Sequence, residues 1–289
     1  MANGPELNRG KTIADQNTAV IEPRRQGPLR IMIAGGGTGG HLFPGIAIAQ
    51  AFTAKDPCNK IVFVSTGNAL EQSMLSEKSF ELKQICVEGF KQRGVVNQVK
   101  ALLKIPIAIF QSIRIIKKFK PGLVIGMGSY AAGPVAVAAK LLKIKIVLHE
   151  QNILPGLTNR MLAGIADRIY VSFENPPAVF NPAKTRITGN PVRSGILREA
   201  GRKRVKKQVF TVNHQVLNGR MLSDGRAAET ILEKDLDGRL LARRIRYYEK
   251  KPHQLAGMAR RAANLGHPHA AEAIVADCYR LLAGLKANS

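Results

Sequence analysis

Five of the six residues in Gly35-Gly36-Gly37-Thr38-Gly39-Gly40 are glycine, and His41 follows them directly. The run comes straight after the apolar stretch Leu29-Arg30-Ile31-Met32-Ile33-Ala34, which predicts a strand, a turn, and then a helix over Leu42 to Lys55. Glycines let the backbone approach an anion closely and take up φ > 0, and the unpaired N–H groups and dipole of the helix point at the same place. A phosphate cradle needs no titratable side chain. His41 at its last position therefore points to proton transfer beside a phosphorylated or hydroxylated substrate. A plain strand-to-helix turn with His41 facing water is the competing reading, although turns seldom need so many glycines in a row.

Two better-known phosphate turns fit less well. Gly35, Gly37 and Gly40 satisfy G-x-G-x-x-G, but a dinucleotide site also needs an acidic residue at the end of the next strand to hold the ribose. That strand, Ile61-Val62-Phe63-Val64, runs into Ser65-Thr66-Gly67, and Asp56 lies before it, which argues against nicotinamide binding. No Gly-Lys-Ser/Thr closes the turn, so the nucleotide P-loop fails as well.

The elements that must position this turn alternate between strand and helix, the pattern of a parallel sheet covered on both faces. After the first strand and helix come a strand over Ile61 to Val64, a helix near Ala69 to Ser76, a short strand over Gln84 to Val87 and a long helix over Val95 to Phe119. Strands over Leu123 to Gly126, Lys145 to Leu148 and Arg168 to Ser172 then alternate with helices over Gly133 to Leu142 and Leu157 to Ile165. In such a doubly wound sheet the ligand crevice lies outside the carboxyl ends of the strands. There the first strand delivers Thr38 to His41, the fourth delivers Gly126-Met127-Gly128-Ser129-Tyr130, a second glycine turn, and the fifth delivers His149-Glu150-Gln151-Asn152. Position 153 is Ile, so the zinc-binding H-E-x-x-H pair is absent. His149 and Glu150 read as scaffold, and Asn152 as the ligand contact.

The chain has 289 residues, enough for one full core and room for a second. Its formal charge of +24 predicts attraction to nucleic acid, an anionic membrane or a phosphorylated substrate. Cys58, Cys86 and Cys278 have no metal-ligand or C-x-x-C spacing, suit a reducing compartment and read as small buried hydrophobes. Residues 1–28 are polar, lack the apolar core of a signal peptide and read as a disordered leader, and no apolar run reaches membrane-spanning length. A cytoplasmic protein is expected.

Five ordered segments carry a resemblance to a known family: Gly36-Gly37-Thr38-Gly39-Gly40-His41-Leu42-Phe43-Pro44, Gly126-Met127-Gly128-Ser129-Tyr130, His149-Glu150-Gln151-Asn152, Pro155-Gly156-Leu157-Thr158-Asn159-Arg160 and Gly189-Asn190-Pro191-Val192-Arg193. Together they resemble the MurG-type peptidoglycan glycosyltransferases of family 28, over about residues 29 to 212. The resemblance implies an α/β fold of GT-B type, with two Rossmann-like domains facing across a cleft. It implies an inverting transfer of N-acetylglucosamine from UDP-N-acetylglucosamine (UDP-GlcNAc) to the undecaprenyl-pyrophosphoryl MurNAc-pentapeptide, lipid I, at the cytoplasmic face of the inner membrane. His41 would be the base, or would orient the acceptor. Thr38, Gly39 and Gly40 would border the diphosphate, and Asn152, Arg193 and Gln215 would be further substrate contacts. No metal or cofactor is implied, since helix ends and backbone amides can hold a diphosphate. Asp235-Leu236-Asp237 does spell D-x-D, but it precedes a helical pattern from Arg239 and reads as a helix cap.

The same resemblance exposes a departure. From Arg193 to Ser289 the chain is too short for a complete second domain of about 100 to 200 residues plus a return helix. Residues 29–193 are expected to form a complete acceptor and membrane-binding domain, 194–212 a linker with the second domain's opening strand, Val209 to Val212, and 213–289 a mainly helical remnant of the donor domain. A large internal deletion is the simplest account. Gln215 matches the donor-sugar contact, but a solvated residue at a helix start is an equally open reading. The apolar faces of helices over 239 to 250 and 270 to 284 must pack elsewhere or stay exposed. Arg202-Lys203-Arg204-Val205-Lys206-Lys207 has no aromatic platform or recognition helix beside it, so it reads as a solvated linker and no nucleic-acid partner is expected. In Val95 to Lys120 the cations Lys100, Lys104, Arg114, Lys117, Lys118 and Lys120 interleave with many Ile and Leu residues around Pro106, which should kink or divide the helix. That pattern suits a helix lying on an anionic leaflet and equally suits a core helix with solvated lysines.

Overall fold

The sheet follows from runs of residues that are apolar on both sides. Parallel strands buried on both faces read as continuous hydrophobic stretches, and Ile31-Met32-Ile33-Ala34, Val62-Phe63-Val64 and Leu123-Val124-Ile125 are all fully or almost fully buried. The structure, a computed structural model, describes residues 28–87, 95–173, 178–192 and 213–284. Its elements begin with β1 (Arg30–Ala34), α1 (Gly39–Lys55), β2 (Lys60–Ser65), α2 (Ala69–Glu77), β3 (Glu81–Gln84) and α3 (Val95–Phe119). Next come β4 (Leu123–Gly126), α4 (Ala132–Leu141), β5 (Lys145–Glu150), α5 (Leu157–Leu162), β6 (Arg168–Val171) and β7 (Thr185–Ile187). The described remainder is helical: α6 (Asn213–Asp224), α7 (Gly238–Lys250), α8 (Pro252–Asn264) and α9 (Ala270–Leu282).

All seven strands pair in parallel in the order β3-β2-β1-β4-β5-β6-β7. Chain order reverses between β1 and β4, so the crevice of this sheet opens where those two strands end. Alternate residues divide into two cores. Met32, Val62, Val64, Val124, Ile146 and Leu148 pack with Ala108 and Ile116 of α3 and the small residues of α4. Ile31, Ile33, Phe63, Ile125 and Val147 pack with Leu42, Ile46 and Phe52 of α1 and with Ile274, Val275 and Cys278 of α9.

The last described helix thus completes the first sheet. Asp277 of α9 forms a buried ion pair with Arg168 of β6 at 3.0 Å, and the Tyr170 hydroxyl donates to Asp277 Oδ2 at 3.0 Å. Burial pushes the Cys278 thiol up to about 12. The Tyr279 hydroxyl accepts from Asn59 Nδ2 at 2.9 Å, and its ring lies 6.1 Å from that of Phe52. The apolar face expected over 270 to 284 therefore packs on the sheet, whereas α7 and α8 bury no residue. Asp237 caps α7 by accepting from Leu240 N at 2.5 Å, as the D-x-D segment was expected to do.

Several boundaries differ from the expectation for local reasons. Helix α1 starts at Gly39 because Thr38 takes the extended cap conformation and its carbonyl accepts from Leu42 N, so the last glycines and His41 belong to the first helical turn. Strand β3 lies earlier, over Glu81–Gln84, as a half-exposed edge strand, and buried Ile85 and Val87 follow it. Strand β7 was not anticipated, since three residues with polar Thr185 and Arg186 give no apolar alternation. Pro106 does not divide α3. Cys58 and Cys86 are exposed rather than buried: Cys58 sits in the turn after α1 and Cys86 just past β3, and only Cys278 is packed on a helix face. The leader, the linker and Val209 to Val212 lie outside the described residues.

The buried pair makes the attachment of α9 testable. Asp277→Ala removes the counter-charge of a buried guanidinium and is expected to cost about 3 kcal/mol in urea unfolding. A loss under about 1 kcal/mol would mean that apolar contact alone docks the helix.

Candidate functional site

The turn between β1 and α1 is fastened from two sides. Gly35, at φ +138°, is packed so closely on Met127 that a Cβ would come within 2.8 Å of the Met127 Cβ. The Gly36 N–H donates to Ser129 Oγ at 3.1 Å, which ties the first glycine turn to the second. Gly37, at φ +83°, donates its N–H to Glu71 Oε1 and lies under the Tyr130 ring. Gly126 ends β4 inside the core, and Gly128, at φ +90°, leaves room for Asn159, whose Nδ2 would lie 2.8 Å from a Cβ there. Ser129 is buried and Tyr130 is 37% exposed, so the second turn supports the first and offers only the tyrosine to a ligand.

Beyond Gly37 the backbone opens. Thr38 and Gly40 are exposed, Gly39 and His41 half-buried. The N–H groups of Thr38, Gly39 and Gly40 precede the first intrahelical hydrogen bonds and form none with other described residues. Thr38 Oγ1 lies 3.2 Å from His41 Nδ1 and orients the imidazole from its own helix cap. Three donors at a helix N-terminus, with an imidazole held beside them, can bind an anionic oxygen and move a proton next to it.

Glu71 is the residue that the sequence reading missed. It is fully buried, and its carboxylate also accepts from Ser65 Oγ at 2.5 Å, from Gly67 N at 2.8 Å and from Asn68 N at 2.9 Å. The Asn68 side chain returns a bond from the Glu71 N–H at 2.9 Å, which makes a capping box at the start of α2. The signal was present as Asn68-x-x-Glu71 directly after a strand end.

The cluster at the end of β5 is organised around the Glu150 carboxylate. Glu150 accepts from Asn152 N and Nδ2, both at 3.0 Å, from Gly156 N at 3.0 Å and from Asn159 Nδ2 at 2.9 Å. Asn152 is therefore not an open ligand group here: its oxygen accepts from Asn218 Nδ2 of α6 at 3.2 Å, while Asn218 Oδ1 receives the Ile153 N–H at 3.2 Å. His149 is fully buried, with Nε2 3.4 Å from the Gly189 carbonyl. Both His149 and Glu150 are scaffold, as expected. Gln215 lies in the first turn of α6, apart from the glycine turns in the chain, and Arg193 lies outside the described residues. No group of three or more His, Cys, Asp or Glu side chains able to hold a metal occurs among the described residues.

Burial holds His149 down at about 4, with the Gly189 hydrogen bond opposing and the charge of His41 adding slightly. The unfolded chain binds this proton near pH 6.5 and the folded chain only near 4, so stability falls as pH drops through that window. One such group accounts for about 3 kcal/mol between the two limits. His149→Gln is expected to flatten the pH dependence of unfolding between those values. An unchanged slope would show that His149 protonates without unfolding the domain.

Residues 31–171 match the glycosyltransferase family 28 N-terminal domain. Two curated relatives are each named UDP-N-acetylglucosamine–N-acetylmuramyl-(pentapeptide) pyrophosphoryl-undecaprenol N-acetylglucosamine transferase. The one from Syntrophus aciditrophicus is 47% identical over 166 residues, covering 57% of this chain and 46% of the relative. The one from Geobacter sulfurreducens is 44% identical over 171 residues, covering 59% and 47%. The chain thus spans about half the length of the curated relatives it matches. Among solved structures, MurG of Acinetobacter baumannii superposes with a TM-score of 0.66 at 20% identity, covering 88% of this chain and all of that one, which shows a shared fold. The similarity of residues 31–171 is to the N-terminal domain of glycosyltransferase family 28.

Proposed function

We propose that this chain acts in the transfer of N-acetylglucosamine from UDP-GlcNAc to lipid I, giving lipid II, with residues 29–193 as the acceptor and membrane-facing side. The observation that carries this reading is His41, oriented by Thr38 at the N-terminus of α1, where the sheet has its switch point. The curated relatives bear the name of that reaction.

The chemistry needs one proton removed and one charge held. As the acceptor hydroxyl attacks the anomeric carbon, its O–H bond breaks and its proton passes to the His41 imidazole. The glycosidic bond forms on one face while the bond to UDP breaks on the other, so the configuration inverts. The negative charge of a diphosphate suits the N–H groups of Thr38, Gly39 and Gly40 and the positive end of α1. Tyr130, exposed over Gly37, would border the sugar in this reading. This step uses no metal.

Helix α3 is the surface that would meet the lipid. Ala108, Ser112 and Ile116 face the core, whereas Ile107 and Phe110 are 52% and 60% exposed. Arg114 stands over the Phe110 ring at 5.9 Å, and Lys117 and Lys118 follow one turn on. Exposed apolar side chains in line with cations suit an anionic leaflet, the cytoplasmic face of the inner membrane in this reading. No described helix is long and apolar enough to cross a membrane.

A second reading, a lipid I or membrane-binding module without transfer activity, is favoured by the described residues 213–284, which carry helices and no strand. Transfer of labelled N-acetylglucosamine to a lipid I analogue separates the two. The first reading expects turnover that falls about 100-fold or more in His41→Ala with an unchanged circular dichroism spectrum. Absent turnover, with retained binding to lipid I vesicles, gives the second. Under both readings, Ile107→Ser with Phe110→Ser is expected to weaken sedimentation with anionic vesicles roughly tenfold or more. Binding unchanged by the pair would remove α3 as the docking face.

A further inference from the structure

The glycine turn already contains an anion. Glu71 sets its carboxylate between the loop that joins β1 to α1 and the one that joins β2 to α2: Oε1 takes the Gly37 N–H of the first and the Ser65 hydroxyl at the end of β2, and Oε2 takes the Gly67 and Asn68 N–H groups of the second. The Thr66 hydroxyl stands 3.5 Å from Oε2. Four close donors fill the lone-pair positions of a carboxylate. None of them is charged, and no lysine or arginine pairs with Glu71 among the described residues. Backbone N–H groups and the N-terminus of α2 surround the charge, which is the environment that turns of this kind give to a bound phosphate.

We propose that Glu71 is a built-in counterpart of a phosphate, occupying the cradle that Gly35, Gly37 and Gly40 would otherwise offer to a dinucleotide. With the Gly36 N–H on Ser129 and the Gly37 N–H on Glu71, neither amide has a donor left for a ligand. An incoming phosphate at that point meets a buried like charge instead. The anion-binding end of the turn is thereby displaced to Thr38, Gly39 and Gly40, next to His41. Glu71 is a positioning and specificity residue. A Cβ on Gly36 would run into its carboxylate, so the glycine and the glutamate require each other.

The claim concerns the turn alone, and its test does not measure transfer, so it stands or falls separately from the proposed function. Glu71→Ala should leave an empty site with the geometry of a small anion. Thermal unfolding of the variant is expected at lower temperature than wild type, and formate or acetate should restore it saturably at constant ionic strength. Inorganic phosphate tests whether a larger anion also enters, and wild type should respond to none of the three beyond a chloride control. A folded variant no more sensitive to these anions than wild type overturns the proposal. Should Glu71→Ala fail to fold, Glu71→Gln decides: it keeps the volume but turns an amide N–H₂ toward N–H donors. A Gln variant as stable as wild type would mean that shape, not the carboxylate, fills the cradle, whereas a marked loss of stability supports it.

Discussion

Gly36 is buried and Gly37 half-buried, the N–H groups of both need acceptors, and the site is built around that constraint. A buried N–H without a partner costs about 1 to 3 kcal/mol, so each of these amides must find an oxygen that the sheet can supply. Ser129 comes from the end of β4 and Glu71 from the start of α2, the neighbours on either side. Because one partner stands on each side, the turn is held at the switch point of the sheet, and α1 must begin at Gly39. The position of His41 is a consequence. It is fixed by hydrogen bonds made four and five residues earlier in the chain rather than by contacts of its own ring alone.

The same economy explains why the polar groups around β5 are closed to solvent. Glu150 collects four N–H donors, and Asn159 bridges it to the carbonyl of His149 at 3.0 Å under Gly128. These bonds lock the β5 loop against the second glycine turn, which in turn supplies Ser129 to the first. The frame therefore runs from Glu150 to Asn159 by a hydrogen bond, from Asn159 to Gly128 by close packing, and from Ser129 to Gly36 by a hydrogen bond. His149 belongs to this frame and not to the chemistry: buried and held neutral down to about pH 4, it is a poor proton carrier near neutrality.

Most of the frame was legible because parallel strands announce themselves. Ile31 to Ala34, Leu123 to Gly126 and the glycine runs after them gave the strands and the placing of Thr38 to His41 at their carboxyl ends from apolar continuity and turn chemistry alone, whereas the switch between β1 and β4 came from the fold. Strand β7 escaped because an edge strand of three residues needs no apolar pattern, and β3 was displaced because its core residues lie just past its ladder. Glu71 escaped for a different reason. A single glutamate in an amphipathic helix reads as a solvated face, and only the fold brings it under a turn thirty-four residues away. The exposed cysteines misled in the opposite sense, since small apolar residues are usually buried but nothing in a turn obliges them to be.

Asn152 shows where sequence and geometry give different answers about one side chain. Motif position makes it a ligand contact, yet its side-chain NH₂ donates to Glu150 and its oxygen accepts from Asn218. A ligand that used this amide would have to compete with a carboxylate inside the loop and with α6 outside it. The first bond is part of the frame and costs stability to break. The second joins the helix carrying Gln215 to the rim of the crevice, through two hydrogen bonds of 3.2 Å from one asparagine. Neutral bonds of that kind contribute about 1 kcal/mol each, far less than the buried ion pair that fastens α9. The helical segment is thus fastened by a buried ion pair at α9 and by two neutral hydrogen bonds at the rim of the crevice.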